Sequence, residues 1–223
     1  MTEADRIARA YQDLEARAGS RWDTANPGNQ AILGERTRWM RRLLGPPLTG
    51  KRILEVGSGT GGTLASMVEL GASPADLVGV DLLPGRVEVA RKAHPSIRFD
   101  VGNAERLDFA DASFDLLLAF TIFSSILDPS MQRNVAAEMT RVLKPGGAVL
   151  WYDVRYDSNS NPNVKAVPAR RIRQLFPSLK ADLYSVTLLP PVARRLGPLT
   201  GLYPALASFP PLRSHLIGLL KKP

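Results

Sequence analysis

Short apolar runs and amphipathic stretches alternate through the middle of the chain. Arg52–Val56, Leu77–Asp81, Ile97–Val101, Phe114–Phe120 and Ala148–Asp153 are compact runs rich in Val, Ile, Leu and Phe, which predicts strands. Phe114–Phe120 is apolar enough to be buried on both faces. Between these runs the spacing changes to a helical one. Thr63–Leu70 predicts a helix that Gly71 terminates, and Pro84–Ala93 a helix with proline near its start, where a missing N–H costs nothing. Asp128 caps a third helix with Pro129 at its first position, and Met131, Val135, Met139 and Val142 line its inner face. Lys144-Pro145-Gly146-Gly147 reads as a turn before the fifth strand. Strands alternating with helices of this length predict an α/β fold with a parallel sheet wound by crossovers.

Two helices precede the alternation. The first covers about Glu3 to Ala18, with Ile7, Tyr11 and Leu14 on one stripe; the second covers about Asn29 to Leu44, with Ile32, Leu33, Trp39, Met40 and Leu43 in phase. Gly45-Pro46-Pro47 stops the second, and Arg21–Gly28 reads as a loop. Past Asp153 a polar stretch leads to a helix over Pro168–Phe176 with a basic outer face. Prolines punctuate Pro190–Leu212, so that segment holds at most one or two short helices.

Length and composition narrow the classes. A chain of 223 residues with 44% hydrophobic and 22% charged residues is ordinary globular material and reads as one domain. The absence of cysteine excludes disulfides, thiolate metal sites and a cysteine nucleophile. Two histidines, His94 and His215, exclude a histidine-rich metal site, and no metal is expected. Met1–Ala10 carries Glu3 and Asp5 and no apolar run, so it does not read as a signal peptide, and no stretch has the apolar length of a membrane span. The expectation is a cytoplasmic protein, peripheral to the inner membrane if it meets one. The net charge of +8 raises nucleic acid, anionic membrane or an acidic substrate as partners. That charge is uneven: +2 over residues 1–50, −3 over 51–153 and +9 over 154–223.

The most informative segment is Ile53-Leu54-Glu55-Val56-Gly57-Ser58-Gly59-Thr60-Gly61-Gly62, a strand running into a glycine-rich turn and a helix. Glycine lets the chain turn sharply and lets a ligand approach the backbone. Gly57, Gly59 and Gly62 satisfy G-x-G-x-x-G, which alone is a weak sign of a dinucleotide site and is also met by a tight turn with no ligand. Glu55 argues against the dinucleotide, because a carboxylate two residues before the first glycine repels a pyrophosphate and favours a ligand with a positive end.

The segment resembles the first motif of the class I S-adenosylmethionine-dependent methyltransferases, Asp/Glu-x-Gly-x-Gly-x-Gly. Three further segments are similar to that family in order and spacing. Leu77-Val78-Gly79-Val80-Asp81 ends a strand in an acid 24 positions after Gly57. Val101-Gly102-Asn103-Ala104-Glu105-Arg106-Leu107-Asp108-Phe109 resembles the family's Gly-Asp-Ala-Glu loop. Phe114-Asp115-Leu116 through Arg141-Val142-Leu143-Lys144-Pro145-Gly146-Gly147 resembles its fourth strand, helix and turn. The likeness is strong over about residues 50–153, with cofactor motifs of the type 11, ubiquinone-biosynthesis kind. It implies a Rossmann-like, doubly wound seven-stranded sheet, order 3-2-1-4-5-7-6, mostly parallel with the last strand antiparallel. Ala181–Leu189 fits the sixth strand and Ser214–Lys221 the seventh, leaving His215 structural at a strand start and His94 closing a surface helix. It also implies one methyltransferase domain over 1–223. Residues 1–48 form a helical cap, 49–153 a cofactor-binding half, and 154–223 a substrate-side half with the connection 190–212 inserted.

The resemblance implies S-adenosyl-L-methionine as cofactor, lined by Glu55, Gly57, Ser58, Gly59, Gly61, Asp81, Leu82, Asn103, Ala104 and Phe120. Asp81 holds the ribose hydroxyls. Asn103 stands where the family has an acid, and its amide oxygen can accept from the adenine amino group; alone it is equally a turn residue. The acceptor side is expected around Tyr11, Trp22, Phe123, Arg155 and Tyr156, with Phe120 and Phe123 as readily core as pocket. Asp153, at the carboxyl end of the fifth strand, is the candidate general base, against an even alternative as a structural capping acid. The expected reaction is methylation of a small molecule, most of all on oxygen, in a bacterial secondary-metabolite or polysaccharide and glycolipid pathway. The basic last third leads to the expectation of an anionic or lipid-linked acceptor, or is simply a solvated tail. The rivals are an RNA or protein methyltransferase, disfavoured by the lack of a basic-aromatic stacking pattern, a non-catalytic S-adenosylmethionine-binding protein, and an NAD-dependent oxidoreductase. The connection 190–212 either covers the pocket or meets a membrane.

Overall fold

Among the described residues seven strands form one sheet in the order β3-β2-β1-β4-β5-β7-β6. They are β1 (Ile53–Val56), β2 (Leu77–Asp81), β3 (Arg98–Val101), β4 (Phe114–Phe120), β5 (Leu143–Val154), β6 (Lys180–Leu188) and β7 (Arg213–Lys221). The first five are parallel, and β7 runs antiparallel to both β5 and β6. The computed structural model describes residues 2–17, 23, 25–157 and 161–223. The strand order is the one that the sequence resemblance implies.

The helices are α1 (Glu3–Arg17), α2 (Pro27–Leu44), α3 (Gly62–Ala65), α4 (Pro84–Ala93), α5 (Pro129–Val142), α6 (Ala169–Leu175), α7 (Pro190–Arg195) and α8 (Tyr203–Ser208). Alternate residues of each central strand face opposite sides of the sheet. Leu54, Val56, Leu117, Ala119, Val149 and Trp151 meet Ile7 of α1, the α5 stripe of Met131, Val135, Met139 and Val142, and Ile172 of α6. Ile53, Leu116, Leu118, Phe120, Leu150 and Tyr152 face Met40 of α2, Leu64 of α3, and Val87 and Ala90 of α4. Both faces are covered, which explains why β1 and β2 are apolar without alternation.

The structure moves several boundaries. Helix α2 begins at Pro27, two residues early, because Asn26 Oδ1 accepts the N–H groups of Gly28 (2.9 Å) and Asn29 (3.3 Å) and Pro27 fills the first helical position. The helix expected over Thr63–Leu70 stops at Ala65 and resumes as a 3-10 turn over Val68–Leu70, which Gly71 closes at φ +91°. Ser66 lies at that break, where its hydroxyl donates to the Thr63 carbonyl (2.6 Å) in competition with the helix. Lys144–Gly147 is not a free turn but part of β5. Gly146, at φ +74°, donates to the Lys222 carbonyl, and the ladder with β4 shifts register between Phe114 and Leu116.

Two contacts set what lies over the carboxyl edge of the parallel strands. Glu3 of α1 accepts the N–H groups of Leu127 and Asp128, and its partner Arg6 (2.8 Å) holds its carboxyl below the usual range. The connection between β6 and β7 folds as α7, a 3-10 stretch over Gly197–Leu202, α8 and a last 3-10 turn over Pro210–Leu212. Its Ala193, Tyr203 and Ala207 form a small core with Leu188, against Ala31 and Ile32 of α2. The closest approach is at Gly28, where a Cβ would stand 2.1 Å from the Ala193 carbonyl oxygen. Gly28→Ala is therefore expected to destabilise the fold by about 1–3 kcal/mol, the scale of overpacking. Urea melts should show a lower midpoint at unchanged slope, and an unchanged midpoint would mean that α7 yields freely.

Candidate functional site

Strand β1 ends at Val56 and the chain turns back over the sheet edge. Gly57 (φ +75°), Gly59 (φ +53°) and Gly61 (φ +83°) all occupy the left-handed region, whereas Gly62 is the first residue of α3 and has no such φ. The conformationally required glycines therefore follow a G-x-G-x-G spacing, and the literal G-x-G-x-x-G match is coincidental at its last position. The turn is held from β2. The Val80 carbonyl accepts from Gly57 and Ser58, and the Gly59 N–H donates to Asp81 Oδ2 at 2.7 Å. Asp81 Oδ1 accepts from the Leu83 N–H at 3.0 Å. Asp81 is buried, yet a carboxylate has about four lone-pair sites, and these two bonds leave capacity for two hydroxyl donors.

Glu55 is buried beneath the turn, where it accepts the Leu64 N–H at 3.0 Å. Burial pushes its carboxyl up to about 8, against the pull of Arg36, the Leu64 N–H and Arg86; the Asp81 charge adds to the rise. The two arginines flank the site. The Arg86 guanidinium lies 4.8 Å over the Tyr11 ring and against Gly59. The Arg36 guanidinium lies 5.5 Å over Phe120 and 5.8 Å over Tyr152, at the carboxyl ends of β4 and β5, and its buried Nε has no hydrogen-bond partner among the described residues. Sequence reasoning missed both. Arg36 had a signal: it falls in phase with Ile32, Met40 and Leu43, an arginine on the apolar stripe of α2.

A polar network closes the other side of the edge. His215 stacks on Tyr152 at 4.7 Å and 9°, and the Tyr152 hydroxyl bonds Thr187 Oγ1 at 2.9 Å. Thr187, at φ +65°, donates its N–H to Glu35 Oε2 (3.0 Å), which also accepts from the Tyr203 hydroxyl (2.7 Å). Burial pushes Tyr152 up to about 12 and His215 down to about 4, so both are neutral at pH 7; the positive charge of Arg36 further disfavours protonated His215. Thr187, Glu35 and Tyr203 carried no sequence signal, since β6, α2 and α8 meet only in the fold.

The remaining expected residues divide. Phe120 lies at the edge, beneath Arg36. Leu82 and Ala104 pack partly buried against the core beside the turn. Asn103 is exposed and forms an Asx-type turn, its Oδ1 accepting the Glu105 N–H at 2.9 Å. Tyr11 reaches over the edge, its hydroxyl 3.1 Å from Ser125 Oγ. Arg155 and Tyr156 pair with each other, ring to guanidinium at 4.4 Å. Trp22 lies outside the described residues. Phe123 is corrected from pocket to core: it is fully buried between Trp151 (4.9 Å) and Phe176 (5.7 Å). Asp153 is fully buried, its two oxygens accepting the N–H groups of Ser124 (3.0 Å) and Val154 (2.8 Å), and burial raises its carboxyl to about 6. That is the geometry of a capping acid for the 3-10 turn Phe123–Ser125.

Because folded His215 protonates only near 4 and the unfolded residue near 6.5, its stabilising effect is whole above 6.5 and fades as pH falls towards 4. The stability difference between wild type and His215→Phe should narrow over that window in denaturant titrations. A constant difference would show that His215 titrates normally.

The donor set fits a cofactor with hydroxyls and a positive end. Left-handed glycines open the backbone, and Asp81 supplies an acceptor where a pyrophosphate would need donors, while Glu55 lies beneath the turn bonded to the Leu64 N–H. Residues 53–147 match the family described as a methyltransferase domain. The chain is 31% identical over 148 residues to a demethylmenaquinone methyltransferase of Renibacterium salmoninarum, covering 66% of this chain and 57% of that protein. It is 41% identical over 110 residues to a phthiotriol/phenolphthiotriol dimycocerosates methyltransferase of Mycobacterium leprae, covering 48% and 39%. The chain thus spans about half the length of these curated relatives. Among solved structures, the PH0226 protein of Pyrococcus horikoshii OT3 has the same fold, with a TM-score of 0.68 at 15% identity over 94% of this chain and 98% of that one. With its turn, its sheet order and the methyltransferase-domain match over residues 53–147, the chain is similar to the class I S-adenosylmethionine-dependent methyltransferases.

Proposed function

We propose that the chain transfers a methyl group from S-adenosylmethionine to a small, largely apolar, hydroxyl-bearing acceptor. The observation that carries the cofactor assignment is the trio of left-handed glycines facing Asp81. The acceptor class rests on the relatives, which are named for a quinone and for phthiotriol lipids. When bound, the cofactor supplies an activated methyl group together with its own leaving group. The protein's part is placement and exclusion of water.

In this reading Asp81 accepts the ribose hydroxyls, the turn from Gly57 to Gly61 lies along the cofactor's amino-acid end, and Phe120 and Ala104 border its base. Arg36 stands at the carboxyl edge with spare donors, suited to a carboxylate of the cofactor or to an oxygen of the acceptor as negative charge develops on it. Asp153 acts as a positioning residue, holding the turn after β4 through its bonds to Ser124 and Val154. The N-terminal helices, with Tyr11 over the edge, form the cap that keeps water out.

Asp81→Ala is expected to weaken S-adenosylmethionine binding by about 1–3 kcal/mol in calorimetry, the scale for a charged acceptor. An unchanged dissociation constant would remove the ribose assignment, and tighter binding of NAD than of S-adenosylmethionine would remove the methyltransferase reading. Transfer of labelled methyl from the cofactor into a fractionated cell extract should place the label in the lipid or small-molecule fraction; label in RNA or protein would overturn the acceptor class. For Asp153→Asn, the expected result is a lower melting temperature with the shape of the pH–rate profile kept. Loss of a limb near pH 6 would instead make Asp153 the general base.

A further inference from the structure

On the α2 side of the sheet a cavity of about 430 Å³ opens between α2, β6 and α8. Its walls include Arg38, Trp39 and Arg42 of α2, Ser185 of β6, Tyr203 of α8 and Arg213 at the start of β7. Three arginines thus line the cavity with one acid, Glu35, whose Oε2 already accepts from Tyr203 and Thr187. Arg213 is fixed in place: its Nε donates to the Ala207 carbonyl (2.6 Å), Nη2 to the Ser208 carbonyl (3.1 Å) and Nη1 to Ser185 Oγ (3.4 Å). The Arg42 guanidinium lies 5.2 Å over Trp39, whose ring packs 4.9 Å from Tyr184. The volume suits a small charged group with its first few carbons.

The chain around this cavity leaves large apolar side chains in water. Leu202, immediately before α8, is 51% exposed and Phe209, immediately after it, 58%; Leu199 is 61% exposed. The prolines at 204, 210 and 211 break the segment into short turns, so that these side chains are not drawn into the core. No acidic residue follows Asp182 in the sequence, while Arg194 and Arg195 lie in the same connection. Because β7 is antiparallel to β5, with Val154 opposite His215, the connection sits at the carboxyl edge, the edge that carries the glycine turn.

We propose that the cavity and the 199–209 segment together dock the protein on a membrane containing anionic phospholipid. A headgroup phosphate is seated among Arg38, Arg42 and Arg213, and Leu199, Leu202 and Phe209 enter the acyl region. Guanidiniums match phosphate in charge and geometry, and apolar side chains beside a basic patch supply the second of the two terms that interfacial binding needs. A nucleic acid would use the arginines but has no use for two exposed leucines, since single strands bind through aromatic stacking. Docking in this orientation turns the carboxyl edge towards the bilayer. The inference deepens the reading of an apolar acceptor and rests on it for its purpose, but the binding itself is measured without any acceptor.

The test is sedimentation of the full chain with vesicles of phosphatidylcholine, with and without phosphatidylglycerol, at low and at physiological salt. Binding is expected only with phosphatidylglycerol, and about tenfold weaker in Arg38→Glu/Arg42→Glu and in Leu202→Ser/Phe209→Ser. An unchanged S-adenosylmethionine dissociation constant in both variants shows that they fold. Equal binding to both vesicle types, or wild-type binding by the variants, overturns the proposal. So does binding of glycerol 3-phosphate in solution that Arg38→Glu/Arg42→Glu abolishes without any binding to vesicles, which would make the cavity a soluble-phosphate site. Tighter binding to an oligoribonucleotide that ignores the Leu202→Ser/Phe209→Ser change also overturns it. If vesicles bind as expected but no methyl reaches any extract fraction, the docking surface stands and the activity reading alone fails.

Discussion

The Asp81 carboxylate is the tie on which the site depends. One oxygen takes the Gly59 N–H and the other the Leu83 N–H, so the end of β2 grips both the turn that follows β1 and the start of its own loop. A turn with three left-handed residues in five has few internal hydrogen bonds of its own. Without an acceptor at this place the Gly59 N–H would lie buried and unmatched, which costs more than the bond itself is worth. The same oxygens keep lone-pair capacity for further donors at the mouth of the turn.

That arrangement puts two carboxylates, Asp81 and Glu55, close together under cover. In a low-dielectric site such a pair is tolerable only with compensation. The fold provides it in two ways. Glu55 is pushed towards its neutral form by burial, and Arg36 and Arg86 come in from α2 and α4 to offset the charge. Arg36 then has a second consequence. By lying over Phe120 and Tyr152 it joins the cofactor side of the edge to the Tyr152, His215 and Thr187 network, and through Thr187 and Glu35 to α8. A residue that α2 contributes to offset the two acids thus also stands over the carboxyl ends of β4 and β5.

Local rules accounted for most of the scaffold. Leu77–Asp81, Pro84–Ala93 and Phe114–Phe120 have the same bounds in the structure as in the sequence reading, because each is a complete signal in itself: an apolar run bounded by turn residues, or a helix with proline at its first turn. The failures are equally local in cause. Ser66, whose hydroxyl competes for a helix carbonyl, lies at the break in the helix after the glycines, and Gly146 lets a proline-glycine turn persist inside β5 as a bulge. Other choices were not local: Phe123 read as either core or pocket and Asp153 as either base or capping acid, and which way each side chain points depended on Trp151, Phe176 and the Ser124 N–H.

The sequence by itself determined the parallel sheet, the glycine turn and the acids at its mouth, since these depend on residue type at short spacing: glycine where φ is positive, a carboxylate where a strand ends, apolar runs where both faces are covered. It also determined where the charge lies, with the surplus confined to residues after Asp153. Only the tertiary structure decided what that surplus surrounds. Arg38 and Arg42 come from α2, outside the basic third, and line one cavity with Tyr203 and Arg213 across more than 150 residues, while Leu202 and Phe209 on either side of α8 stay exposed. No periodicity records a meeting at that distance, because it is set by how α2, β6 and α8 pack and not by any neighbouring pair in the chain.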